Sequence, residues 1–221
     1  MIVMTVKDLV NDLMTLESRP TFYKNVYPYN LLYVHNNGYT SADCVNLYKA
    51  LFNGYDINNR TAGYFQHPPL DNTGDCTEWG LMQQCTDVST NFNKLKQGEP
   101  RLLYMNGHIG AFIGEFEKYG KTYNVCECTA AWGGGILFSY VDKNGVRYKS
   151  KGGASNKAWT HNGLMTKWVD YSEYYDELDG AFYTVKAGDK LSNIAKKFNT
   201  TTDEIIKLNN MLLAGQKLKV R

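Results

Sequence analysis

The chain has 221 residues, 43% apolar and 21% charged, enough for a real core, and its net charge of +2 argues against a dedicated nucleic-acid binder. No run approaches the length of a transmembrane helix, which argues against membrane insertion, and Asp8 and Asp12 interrupt an N-terminal apolar stretch that lacks the basic region of a signal peptide. Five cysteines, an odd number, do not suggest a disulfide framework and favour synthesis in a reducing compartment.

Thr5 followed by Asp8 reads as a capping box, and Val6, Leu9, Val10, Leu13 and Met14 then recur at helical spacing, so residues 5–17 are predicted to form an amphipathic helix. Residues 18–42, rich in Tyr, Asn and Pro, read as an ordered but irregular approach. Asp43 is placed to cap a second helix whose stripe is Leu47, Tyr48, Leu51 and Phe52 and which stops at Asn53-Gly54. Residues 55–100 are loop-rich, with a short helix predicted near 75–84. Alternating apolar residues then predict strands around 102–104 and 109–113. A turn at Lys118-Tyr119-Gly120 leads into a strand through Tyr123 and Val125, and a third strand is predicted at about 136–141. Asn144-Gly145 signals a further hairpin, and residues 168–171 are predicted to close the sheet. The pattern predicts an α+β body at 1–172, an acidic linker at 173–181 and a small module at 182–221. Net charge divides the same way, −3 over residues 1–180 and +5 over 181–221. A basic module behind an acidic body suits attraction to an anionic surface.

Cys44 falls in the first turn of the second helix, against the positive end of its dipole, where a thiolate is favoured. His108 opens a predicted strand and is followed by Gly110 and Gly114, which leave room for a substrate backbone. A cysteine nucleophile with a later histidine base is a thiol-hydrolase order, and such a pair needs a third polar group to orient the imidazole. Folding the hairpin at 117–120 brings Glu127 within a residue or two of His108. It is the only carboxylate in Val125-Cys126-Glu127-Cys128, and buried there it requires a partner. Cys126 and Cys128 point to the opposite face, and Cys-x-Cys lacks zinc-ligand spacing. Residues 71–75 lack the remaining ligands of a calcium loop. No metal or cofactor is called for.

Ser41-Ala42-Asp43-Cys44, Gly98-Glu99-Pro100, the run from Asn106-Gly107-His108 to Gly114, and Glu127-Cys128-Thr129-Ala130-Ala131-Trp132 resemble NlpC/P60-type peptidoglycan hydrolases, in the flavour found in phage endolysins. The resemblance implies a papain-like α+β fold with N-terminal helices on an antiparallel sheet. Cys44 would be the nucleophile, His108 the base and Glu127 the third residue. Tyr33, near the oxyanion, together with Asp43, Gly107 and Trp132, would line the substrate groove. A CHAP-type amidase, cutting between sugar and stem peptide, shares the Cys–His arrangement, and an inactive wall-binding protein is the non-enzymatic alternative.

Tyr183-Thr184-Val185-Lys186-Ala187-Gly188-Asp189 through Ile194-Ala195, with Asp203-Glu204-Ile205 and Gly215-Gln216-Lys217-Leu218, resembles a LysM repeat. That implies a βααβ module binding N-acetylglucosamine-containing glycan between Gly188, Asp189, Lys190 and Leu191 on one side and Asn209, Asn210 and Met211 on the other. The helices are expected to be capped at Asp189 or Lys190 and near Thr202. Together the resemblances imply a lysin that waits in a host bacterial cytoplasm until lysis and then acts on the cell wall, with peptidoglycan as its partner.

Overall fold

The computed structural model describes residues 2–24, 30–58, 60–66, 70–172, 182–185, 188–198, 200–209 and 217–219. The chain divides into two units, Met1–Tyr171 and Ser172–Arg221.

The first unit opens with β1 (Met4–Thr5) and α1 (Val6–Glu17). The Thr5 hydroxyl accepts the Asp8 N–H at 3.1 Å while the Asp8 carboxylate accepts the Thr5 N–H at 3.0 Å, so two otherwise orphaned donors are satisfied reciprocally. Helix α1 buries Leu9, Leu13 and Leu16, each worth about 2 kcal/mol of burial.

The stretch expected to be irregular forms β2 (Thr21–Tyr23), β3 (Asn30–Val34) and β4 (Thr40–Ala42). With β5 (Gly63–Gln66) they make a four-stranded sheet in the order β2-β4-β3-β5. Its strands are short and two of them pair in parallel, so residues 18–42 carry no long alternation that a sequence pattern could register.

Between β4 and β5 lies α2 (Cys44–Phe52), capped by the Asp43 side chain, which accepts the Asn46 N–H at 2.8 Å. The Tyr48 hydroxyl donates to the carbonyl of Cys126 at 2.7 Å, and Phe52 stacks on Trp168 at 4.4 Å with the rings 1° from parallel. These two contacts fix the middle of the helix to strand β9 and its C-terminal end to Trp168.

The remaining elements of this unit are α3 (Glu78–Met82), β6 (Thr86–Ser89), β7 (Arg101–Met105), β8 (His108–Lys118), β9 (Lys121–Thr129), β10 (Gly135–Val141), β11 (Val146–Tyr148), β12 (Ser155–Ala158), β13 (His161–Leu164) and β14 (Val169–Asp170). The main sheet has eight antiparallel strands in the order β12-β11-β10-β9-β8-β7-β13-β6. Tyr119 and Gly120, at φ 52° and 68°, make the tight turn between β8 and β9. Strand β14 does not close this sheet as expected. It pairs in parallel with β1, Met4 opposite Val169 and Thr5 opposite Asp170.

Ile109, Ala111, Ile113, Cys126, Cys128, Ile136 and Phe138 bury one face of the sheet in a core shared with α1 and α2. On the other face Leu103, Met105, Phe112, Val125 and Val141 gather with Phe92 and Trp159 into a second core. The period-two alternation of a strand therefore sends Cys126 and Cys128 toward the helices and Glu127 away from them.

The second unit contains β15 (Phe182–Thr184), α4 (Leu191–Lys197), α5 (Thr202–Asn209) and β16 (Lys217–Lys219), with β15 and β16 antiparallel. Ile194, Ala195 and Ile205 are its buried centre. Lys190 occupies the α4 cap position without a side-chain cap bond, whereas Thr201 and Glu204 form a reciprocal cap on α5 at 3.1 and 3.0 Å. Residues 173–181, the expected linker, lie outside the described residues.

Candidate functional site

The cap that starts α2 also aims it. Asp43 accepts from both the backbone and the side chain of Asn46, each at 2.8 Å, and the helix start presents Cys44 toward the beginning of β8. There the N–H of Ile109, one residue beyond His108, and the N–H of Val45 lie near enough to the sulfur to act on its titration. The hydroxyl of Tyr23, on β2, is close to it as well. Sulfur, helix start and the head of β8 thus converge.

The expected thiolate is not the resting state of this site. Burial raises the Cys44 pKa to about 11, with the carboxylates of Asp43 and Glu78 adding to the rise and the Ile109 and Val45 N–H groups opposing it. The same carboxylate that caps the helix opposes the dipole's effect on the sulfur. Tyr23 is pushed up to about 12 by burial and by Cys44 and Asp43, so its hydroxyl stays a donor.

His108 is buried and its Nε2 lies 2.5 Å from Glu127 Oε2. The register Ala111↔Cys126 sets Gly110 beside Glu127, with His108 two residues further along on the same face. A side chain at Gly110 would not fit: its Cβ would lie 2.9 Å from the Trp159 ring and 3.3 Å from Glu127 Cβ. Trp159 stacks on His108 at 5.4 Å and 21°, closing the imidazole from that side. The Trp159 indole N–H is buried and has no acceptor among the described residues.

Glu127 is fully buried and held by more than the histidine. Arg147, on β11, donates from Nε at 2.9 and 3.1 Å and from a terminal nitrogen at 2.6 Å, and Ser139 donates from its hydroxyl. Burial alone would raise this carboxyl, but the His108 and Arg147 hydrogen bonds outweigh it and hold Glu127 below the usual carboxylate range. Arg147 also reaches Thr129 Oγ1 at 3.3 Å and stacks over Trp132 at 4.2 Å. Sequence reasoning missed Arg147, Ser139 and Tyr23. The signal for an arginine was present: a carboxylate on a buried strand face needs a cation, and the Asn144-Gly145 hairpin returns Arg147 to that face.

The other expected substrate residues divide. Trp132, at φ 56°, forms the far wall against Arg147, and Asp43 is the helix cap. Gly107 sits in the two-residue turn between Met105 and His108, at a φ of 76° that glycine takes without cost. Tyr33 belongs elsewhere. It pairs with Ser41, one residue out of step with the Tyr23↔Ala42 pair, and its ring packs on His35 at 4.4 Å and Tyr64 at 4.5 Å. No contact between Tyr33 and Cys44 is found among the described residues, whereas the Tyr23 hydroxyl lies close to the sulfur.

In the second unit Gly188, at φ 89°, Asp189 and Lys190 are exposed, Leu191 is half-buried and Asn209 ends α5. Asn210 and Met211 lie outside the described residues. No group of three or more metal-ligating side chains is found among the described residues, and no described helix is long and apolar enough to cross a membrane.

Residues 183–221 match the LysM domain model. The chain is similar to a Staphylococcus epidermidis protein named N-acetylmuramoyl-L-alanine amidase sle1, 35% identical over 94 residues, which are 39% of this chain and 29% of that one. It is also similar to the protein of the same name in Staphylococcus aureus, 51% identical over 45 residues, or 19% of this chain and 14% of the relative. The chain spans less than a third of the length of these curated relatives. No solved structure matches it.

Proposed function

We propose that the chain is a peptidoglycan hydrolase of the NlpC/P60-like, papain-type class, in which Cys44 is the nucleophile, His108 the general base and Glu127 the residue that orients the base. The observation that carries this reading is a helix-start thiol set against the head of the strand that opens with His108, whose buried imidazole is paired with the carboxylate of Glu127. Glu127 occupies Nε2, so Nδ1 is the nitrogen left to take the thiol proton as substrate displaces water. The thiolate then attacks the amide carbonyl, Nδ1–H protonates the leaving amine, and water hydrolyses the thioester with His108 again the base. Donors already gathered at the sulfur, the N–H groups of Ile109 and Val45 and the Tyr23 hydroxyl, suit the oxyanion that forms beside it. A resting thiol fits this scheme, since the thiolate is needed only once substrate covers the site.

The LysM unit supplies attachment. Gly188 to Leu191 would form one lip of the glycan groove, and tethering to an insoluble polymer raises the local concentration of scissile bonds without tight binding at the catalytic groove. The relatives' printed name supports an amide bond of the wall as the target. The test is mass spectrometry of Gram-positive peptidoglycan digested by the wild type and by Cys44→Ala. New amine termini in the wild-type digest, absent from that of the variant, are expected. Equal digestion by both would refute the nucleophile, and binding with no products from either would make this an inactive wall-binding protein.

A further inference from the structure

Beyond the reacting groups, three rings continue outward from the nucleophile on the sheet face toward α2. Ile109, whose N–H lies near the sulfur, pairs across strands with Tyr104, and Tyr104 pairs with His161. With strands about 4.8 Å apart, Tyr104 and His161 stand about one and two strand spacings from Ile109, beside the reactive sulfur. Trp79, from α3, covers the row, its ring 4.8 Å from that of Tyr104 and 5.2 Å from that of His161. Helix α3 is anchored there: a Cβ on Gly163 would meet Cys85 at 2.8 Å and Met82 at 3.2 Å, so α3 lies hard against β13. Glu78, the preceding residue, is near enough to act on the Cys44 thiol.

The cluster is aromatic with polar edges. Trp79 is 38% exposed, unusually open for an indole resting on two other rings. Its polar chemistry is set by Thr160. The Thr160 hydroxyl lies 3.1 Å from the Tyr104 carbonyl and 2.9 Å from His161 Nδ1, and in the arrangement where it donates to the carbonyl the ring nitrogen is the donor to it. His161 Nε2 then presents a lone pair, an acceptor suited to a hydroxyl or an acetamido N–H. Flat rings for the C–H face of a pyranose, with an acceptor at the rim, are the furniture of a sugar site rather than of a peptide side-chain pocket.

We infer that Trp79, Tyr104 and His161 form a subsite for an N-acetylated amino-sugar ring of the substrate cut at Cys44. The inference rests on the hydrolase reading above and names its substrate.

All four tryptophans, Trp79, Trp132, Trp159 and Trp168, precede the LysM match, so indole fluorescence reports on the catalytic unit and is silent on glycan held by LysM. The full chain carrying Cys44→Ala is titrated with a soluble disaccharide–tetrapeptide of peptidoglycan and with the free tetrapeptide. Saturable quenching by the disaccharide–peptide is expected, with at least tenfold weaker binding or none for the free peptide. Adding Trp79→Ala or His161→Ala should weaken the disaccharide–peptide by about tenfold or more, while Cys44 in the corresponding single variants alkylates at the wild-type rate. Equal quenching by the free peptide, or binding that survives Trp79→Ala, would overturn the subsite. Wild-type protein that binds but cuts neither ligand would overturn the hydrolase reading and leave the subsite standing.

Discussion

Removing Arg147 tests the electrostatic design of the site. In Arg147→Met the fully buried Glu127 loses three hydrogen-bond contacts and the cation that balances it, and keeps only His108 and Ser139. Deleting one partner of a buried pair costs about 3–5 kcal/mol, and because Glu127 keeps its His108 and Ser139 hydrogen bonds the lower end, about 3 kcal/mol, is expected. For a unit of this size that corresponds to a fall in Tm of about 6–12 °C, followed by indole fluorescence so that only the catalytic unit is read. The loss should shrink on acidification. A carboxyl held below its usual range contributes stability that is present above its unfolded pKa and is lost as pH falls through the folded value. Without Arg147 burial dominates and the folded value rises, so protonation relieves the variant while it costs the wild type, and the two converge at low pH. Adding Glu127→Gln to Arg147→Met should recover part of the cost, giving a coupling of about 2 kcal/mol. A Tm within 2 °C of wild type, or strictly additive variants, would refute the assignment of Arg147 as the counter-ion.

Tyr23→Phe should lower kcat on muropeptides by about 10²-fold if its hydroxyl serves the oxyanion, while Tyr33→Phe should leave kcat unchanged, and the reverse pattern would restore Tyr33 to the site. Alkylation of Cys44 by iodoacetamide, read by peptide mapping, should be slow at pH 7 and climb about tenfold per pH unit up to about pH 10, and a plateau near neutrality would show a resting thiolate instead. Asp12 is raised to about 6 by burial and by Asp8 and Asp56, so its ionised form opposes folding and stability is lost as pH rises from about 4 to 6. Asp12→Asn should therefore raise Tm at pH 7 and leave it unchanged at pH 4; after discounting for its half-exposed side chain the gain is about 1 kcal/mol.

The parts of the structure that local chemistry decides were legible in the sequence. The Thr5–Asp8 cap, the α2 helix under Asp43, the Tyr119-Gly120 turn and the opposite facing of Glu127 and Cys126 each follow from residues within a few positions of one another. What was not legible depends on strands meeting across long separations. Tyr23 reaches Cys44 because short β2 pairs with β4, and nothing near residue 23 announces a strand. Arg147 reaches Glu127 through the path of β10 and β11, twenty residues away. The expected thiolate failed for a different reason: a dipole argument reads only the helix, whereas burial and two carboxylates act on the sulfur from outside its turn.

The pairing of β1 with β14 has an engineering consequence. Val3 and Met4 both donate to the Trp168 carbonyl, at 2.8 and 3.2 Å, so the two ends of the catalytic unit are stitched side by side. A unit so arranged can be rewired: a short linker from residue 171 back to residue 3, with new ends opened in the turn at Asn144-Gly145, should give a circular permutant that keeps every contact at Cys44. Conversely, a fusion partner spliced between neighbouring ends need not stretch the sheet, which makes this unit a natural cassette for grafting onto other wall-anchoring modules.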